Sequence, residues 1–233
     1  MIVKRLMLVA SLALLPTGGF AGEIIAKDKT WWWSVSVNAD GNSWDKSCKL
    51  KLTAETHQNK QEINIKREFY NCGLYGPVHL HSAAESLENE SSLVFLEAAR
   101  GGDGDHTGPI VEVFKLTRNK IKKLGEQELF DAIYYRKGEQ IKYVTGSVVF
   151  DLCESCDGPE VSLPEDTFYI PAKMTIAEDK IIVKPALSKQ ERKAVLDKFD
   201  ARVAIATKEN ESDKEFPKFV KSVRDKLASF LKR

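Results

Sequence analysis

A chain of 233 residues, 42% hydrophobic and 30% charged, can bury most of its apolar surface without cross-links to hold it. Its formal net charge of +1 names no partner, and nothing in the balance points to nucleic acid. Beyond the N-terminus no segment holds the ~20 consecutive apolar residues that a membrane-spanning helix requires, so a soluble chain is predicted.

The first residues are ordered as in a secretory signal. Lys4 and Arg5 form a short positive region, residues 6–15 form an apolar stretch, and Pro16, Gly18 and Gly19 break it. Gly19 and Ala21 are small residues at the positions a signal peptidase reads, so residues 1–21 are a predicted signal peptide. No cysteine lies near the cut, which argues against a lipid anchor. The mature chain is expected in a periplasm or outside the cell, where disulfides persist.

Trp33, Val35 and Val37 alternate with Ser34 and Ser36, the period of a strand with one face buried. If that strand is regular through residues 31–33, Trp32 faces opposite to Trp31 and Trp33. An exposed Trp32 would stack a sugar ring or anchor a partner, whereas a helix hairpin packed on that face would bury it. Leu50, Leu52 and Ala54 alternate with Lys49, Lys51 and Thr53, and Ile63 and Ile65 with Glu62 and Asn64. Such alternation favours an antiparallel sheet.

Cys48 opens one of these strands and Cys72 follows the next, so they are paired here across neighbouring strands. Cys153 and Cys156 then pair with each other, or each bridges elsewhere; four cysteines allow three pairings. Cys153-Glu154-Ser155-Cys156 also has the spacing of a redox dithiol. Asp151, Glu154 and Asp157 surround it, and negative neighbours oppose the thiolate such chemistry needs. His79 and His81 are two apart, so on a strand both rings share a face and could join the cysteines in a tetrahedral metal set. Read plainly, they are surface residues of a short strand. Asn89 and Asn210 open N-glycosylation patterns that matter only in a eukaryotic host.

Residues 93–96 and 110–114 are more continuously apolar, Glu112 apart, and read as central strands. Between them lies the most unusual segment, residues 101–109. Asp103, Asp105 and Thr107 followed by Gly108 resemble the first half of a calcium loop, but Phe114 stands where a bidentate glutamate belongs. A small ligand or a looser calcium site is therefore open, and so is an Asp–His pair built on His106. The plain alternative is a long hairpin loop whose aspartates solvate the turn. Further on, Lys137-Gly138 and Glu178-Asp179 separate pairs of apolar runs as hairpin turns do.

From Leu187 onward the character changes, and the local charge balance turns from −6 over residues 22–186 to +5 over residues 187–233. The mixed signs read as a solvated helical face. Ser188 and Glu191 form a capping box. Val195, Leu196, Phe199, Val203 and Ala206 recur at helical spacing; residues 207–214 read as a loop, with Asp213 able to cap a second helix. That helix carries a stripe through Phe216, Phe219, Val220, Val223, Leu227, Phe230 and Leu231.

The predicted fold is α+β, mainly antiparallel sheet in a sandwich or barrel-like arrangement. A β-rich region over residues 22–186 is followed by a C-terminal helix hairpin over residues 187–233. No complete catalytic motif or cofactor-binding loop is present in the sequence. The predicted function is an exported binding protein acting through protein contacts: an inhibitor, an immunity-type factor or an envelope accessory protein. Asp103, Asp105, His106 and Trp32 are its candidate contacts. A rival reading is an exported hydrolase using Asp103, Asp105 and His106, with or without a metal. A third is a redox or metal-carrier protein using Cys153 and Cys156.

Overall fold

The computed structural model describes residues 23–40, 48–70, 78–86, 90–98, 109–152, 166–209 and 214–233. The predicted signal peptide, the 101–108 loop, Cys72, Cys153, Cys156, Asn89 and Asn210 lie outside them.

Among the described residues twelve strands form three open antiparallel sheets of four, each a meander in which sequence neighbours are hydrogen-bonded neighbours. The first sheet holds β1 (Glu23–Lys29), β2 (Ser34–Asp40), β3 (Cys48–Glu55) and β4 (Lys60–Tyr70). The central sheet holds β5 (His79–Ser86), β6 (Ser91–Ala98), β7 (Ile110–Leu116) and β8 (Ile121–Glu128). The third holds β9 (Phe130–Lys137), β10 (Gln140–Asp151), β11 (Thr167–Ala177) and β12 (Lys180–Pro185). Two helices follow, α1 (Lys189–Glu209) and α2 (Phe216–Leu231). The sheets stack as layers; none closes into a barrel.

The layers follow from the side-chain period. In the first sheet, Val37 lies opposite Leu52 and Leu52 opposite Ile63, so one face is apolar across three strands. Its other face carries wet pairs such as Lys51 with Glu62 at 3.3 Å. The central strands β6 and β7 are buried on both faces, as their continuous apolar runs require. Val94, Leu96, Phe114 and Leu116 pack against the first sheet. Leu93, Phe95, Val111 and Val113 pack the opposite way, against the third.

The third sheet has one buried face and divides it between two covers. Tyr134 meets Phe95 of the central sheet, ring centroids 5.7 Å apart. Farther along the same sheet, Phe168 meets Phe199 of α1 at 5.0 Å and Phe150 meets Phe230 of α2 at 5.8 Å. The chain passes from the central to the third sheet through Leu129 alone, fully buried, its N–H donating to the Pro109 carbonyl at 3.1 Å. Gly146 makes room for this corner: a Cβ there would lie 2.6 Å from both Leu129 Cγ and the Phe130 carbonyl oxygen.

The exposed edge of the central sheet is sealed by side chains, which blocks further strand pairing. On β5, the Ser82 N–H donates to Asp28 at 2.6 Å and the Ser82 carbonyl accepts from Arg136 at 3.0 Å. Asp179, in the β11–β12 turn, accepts from Lys115 at 2.8 Å and Lys122 at 3.1 Å, locking the third sheet to the central one. Those two ammonium groups hold the Asp179 carboxyl below its ordinary pKa.

The capping box forms: the Ser188 N–H donates to Glu191 at 2.7 Å and the Glu191 N–H to Ser188 Oγ at 3.3 Å. Arg192 then reaches the carbonyls of Leu187 at 3.0 Å and Leu231 at 2.8 Å, closing the hairpin at its base. Arg224 and Asp200 join the helices through two bonds, at 2.6 and 2.8 Å. Three details depart from the sequence reading. Helix α1 continues to Glu209, because polarity alone does not end a helix and Lys208 suits its C-terminal dipole. The N-cap of α2 is Glu215 rather than Asp213. The strand alternation also stops short of Trp31 and Trp32, since β2 begins at Ser34.

Two measurements check this packing. Gly146→Ala is expected to cost about 1–3 kcal/mol in denaturant unfolding, because Leu129 and the β9 backbone must shift; a loss below about 0.5 kcal/mol would refute the close approach. Asp179→Asn is expected to cost about 1 kcal/mol at neutral pH. The depressed carboxyl contributes stability above its unfolded pKa and loses it as pH falls through the folded value. The wild-type advantage should therefore shrink in acid, and a pH-independent difference would contradict the pairing.

Candidate functional site

In a sheet with one face on a core, the opposite face should alternate into polar side chains. The third sheet breaks that rule. Phe168, Ile170, Ala172 and Met174 of β11 point inward and are buried. The register then directs Tyr169 of β11, Ile133 and Tyr135 of β9, Tyr143 of β10 and Ile182 of β12 to the outer face. Ile133 is 56% exposed, Tyr169 55% and Tyr135 44%.

These rings are held in pairs. Tyr135 and Tyr143 lie opposite each other in the ladder and stack with centroids 4.6 Å apart. The Lys173 ammonium sits 3.9 Å from the Tyr143 ring centroid, a cation–π contact. Phe130 and Tyr169 meet edge to face at 5.6 Å. Lys184 is the register partner of Lys173, which puts two cations beside the rings. The result is a rigid aromatic surface with phenolic hydroxyls and a basic flank.

A second aromatic feature lies where hairpin tips of the first and central sheets converge. The Thr30 N–H donates to the Trp33 carbonyl at 2.8 Å, closing the β1–β2 turn. The Trp33 indole N–H crosses to the Glu90 carbonyl at 3.2 Å. Glu90 adopts φ 48°, a left-handed conformation in the β5–β6 turn, and its carboxylate takes a two-bonded contact from Arg118 of the β7–β8 turn. That guanidinium holds the Glu90 carboxyl below its ordinary pKa. Asn59 Nδ2 donates to the Arg118 carbonyl at 2.6 Å, and Gln61 Nε2 to the Thr117 carbonyl at 2.9 Å. The tips thus enclose a cleft of about 660 Å³ lined by Trp31, Trp32, Trp33, His57, Asn59 and Arg118.

The three tryptophans differ. Trp33 is 2% exposed, continuing the buried face of β2. Trp32, the candidate contact from sequence, is half-buried against the core between the first and central sheets while still lining the cleft. Trp31 is 65% exposed and meets Trp32 edge-on at 6.0 Å.

Of the remaining candidates, Cys48, His79 and His81 lie among the described residues. Asp103, Asp105 and His106 lie outside the described residues, as do Cys72, Cys153 and Cys156. Cys48 opens β3 with its Cα opposite that of Tyr70, two residues before Cys72 in the chain. His79 and His81 do share a face of β5, with centroids 6.5 Å apart. His81 packs on Tyr134 at 3.9 Å, and burial, reinforced by Arg136, holds its pKa below the ordinary value. Glu97, opposite His79, accepts from the Tyr134 hydroxyl at 3.3 Å and is pushed up by burial. Among the described residues no three His, Cys, Asp or Glu side chains are placed to hold a metal ion. Among them, too, no helix is long and apolar enough to cross a membrane.

The exposure of the tryptophans sets a direct expectation. Trp33→Ala should cost about 3–5 kcal/mol and Trp31→Ala less than about 0.5 kcal/mol. Equal losses in thermal or denaturant unfolding would contradict the division between framework ring and presented ring. Comparison of the chain with models of known protein families, with curated proteins and with solved structures found no match.

Proposed function

We propose that this chain is an exported binding protein that acts through protein contacts, with the outer face of the third sheet as its contact surface. The observation that carries this reading is the set of large apolar side chains displayed there. Exposed Ile and Tyr in neighbouring rows cost solubility unless a partner covers them. Tyrosine anchors interfaces well because it offers large, stiff contact area with a polar tip. The Tyr135–Tyr143 stack and its Lys173 contact fix those rings before a partner arrives, which lowers the ordering cost of binding.

The basic flank of Lys173 and Lys184 selects the partner's chemistry: an apolar protein surface with an acidic rim. An inhibitor, an immunity-type factor or an envelope accessory protein would each use such a face. Export is supported by the Lys4–Arg5 region, the apolar stretch and the small residues before Gly22. In an oxidising compartment Cys48 and Cys72 would form one disulfide, and Cys153 and Cys156 another.

The test is native mass spectrometry of protein purified from its own compartment, comparing wild type with Tyr135→Ser/Tyr169→Ser. A stoichiometric protein partner is expected on wild type. The double variant should release it, since each anchoring ring is worth about 2 kcal/mol or more. Retention of the partner by the folded variant, or a wild type that carries none, would overturn the proposal.

A further inference from the structure

The cleft between the hairpin tips is separate from the sheet face and has a different chemistry. Its largest presented surface is the Trp31 ring, held edge-on to Trp32 above a framework fixed by Trp33, Glu90 and Asn59. A flat indole with a free face suits a flat partner that is apolar on one side and hydroxylated at its rim. The surrounding groups are the amides and imidazole of Asn59, Gln58 and His57, which both donate and accept hydrogen bonds. Asn59 uses its N–H on the Arg118 carbonyl, which leaves Oδ1 as an acceptor.

The local charge narrows the ligand further. Arg118 is 72% exposed, but Glu90 engages it through two bonds, so the pair presents no net charge to an incoming ligand. A phosphate or polyanion would have to compete with Glu90 for the guanidinium. A fatty chain would need a closed apolar pocket, and this cleft is open, with polar groups on its walls. A pyranose ring meets all the conditions at once. Its C–H face stacks on an indole, and its hydroxyls exchange bonds with amides and imidazole.

We infer that the cleft is a glycan-binding site for an uncharged oligosaccharide, with Trp31 as the stacking platform and Asn59, Gln58 and His57 as hydroxyl-reading groups. This is independent of the sheet-face reading, since the residues do not overlap.

The experiment is titration of the full exported chain with chitotetraose, cellotetraose and maltotetraose, followed by tryptophan fluorescence and calorimetry, with polygalacturonate as the anionic control. Saturable binding of at least one neutral probe in the millimolar range or tighter is expected. Trp31→Ala should weaken it at least about tenfold, Trp31→Phe should retain most of it, and Tyr135→Ser/Tyr169→Ser should leave it unchanged. Three results would each overturn the inference: no neutral probe binds, binding survives Trp31→Ala, or polygalacturonate binds more tightly than every neutral probe. Both alanine and phenylalanine sit at an exposed position, so a failure to fold does not confound the result.

Discussion

The third sheet has a single buried face and two bodies to cover it, and the rest of the structure depends on that sharing. Tyr134 meets Phe95 of the central sheet, while Phe168 meets Phe199 and Phe150 meets Phe230 of the helices, all within one core. Without the helix hairpin, the part of that face around Phe168 and Phe150 would open to water. Removing about five such side chains from their cover would cost on the order of 10 kcal/mol, at about 2 kcal/mol each. That is comparable with the whole stability of an ordinary domain. Arg192, donating to the Pro185 carbonyl at 3.4 Å, and the Asp166–Arg202 pair at 2.6 Å then fix the hairpin against the ends of β12 and β11.

Because the inner face is fully used, the outer face cannot turn inward. A strand's period of two forces Tyr169 out wherever Phe168 and Ile170 go in. Surface function in this molecule is therefore written by the same alternation that builds the core. A comparable logic governs the tips: burial of Trp33 fixes the β1–β2 turn, and the turn then leaves Trp31 in solvent.

Much of the fold was legible from the sequence for these reasons. The period-two rows at residues 33–37 and 50–54, the continuous runs on β6 and β7, the turns at Gly138 and Glu178-Asp179, and the Ser188–Glu191 box are each local signals with one dominant physical cause. The division into three sheets was not legible, because which sheet a strand joins depends on contacts distant in the chain. The site was legible only in part. The tryptophan cluster stood out by composition, yet the exposed ring is Trp31, since a turn interrupts the alternation that singled out Trp32. Tyr135, Tyr143 and Tyr169 were missed because apolar and aromatic residues on a strand look like core until the register shows both faces. Their one sequence signal was excess: Phe168, Tyr169 and Ile170 are consecutive, more than one buried face needs.

Native-state hydrogen exchange of the free protein tests most directly whether the helix hairpin is part of the core. Slow exchange of α2 amides at the same opening free energy as β10 and β11, close to that of global unfolding, is the expected result. Exchange of α1 and α2 at a much lower free energy, with the third sheet still protected, would contradict it: the inner face would then be stable uncovered, and the physical reason for an aromatic outer face would be lost.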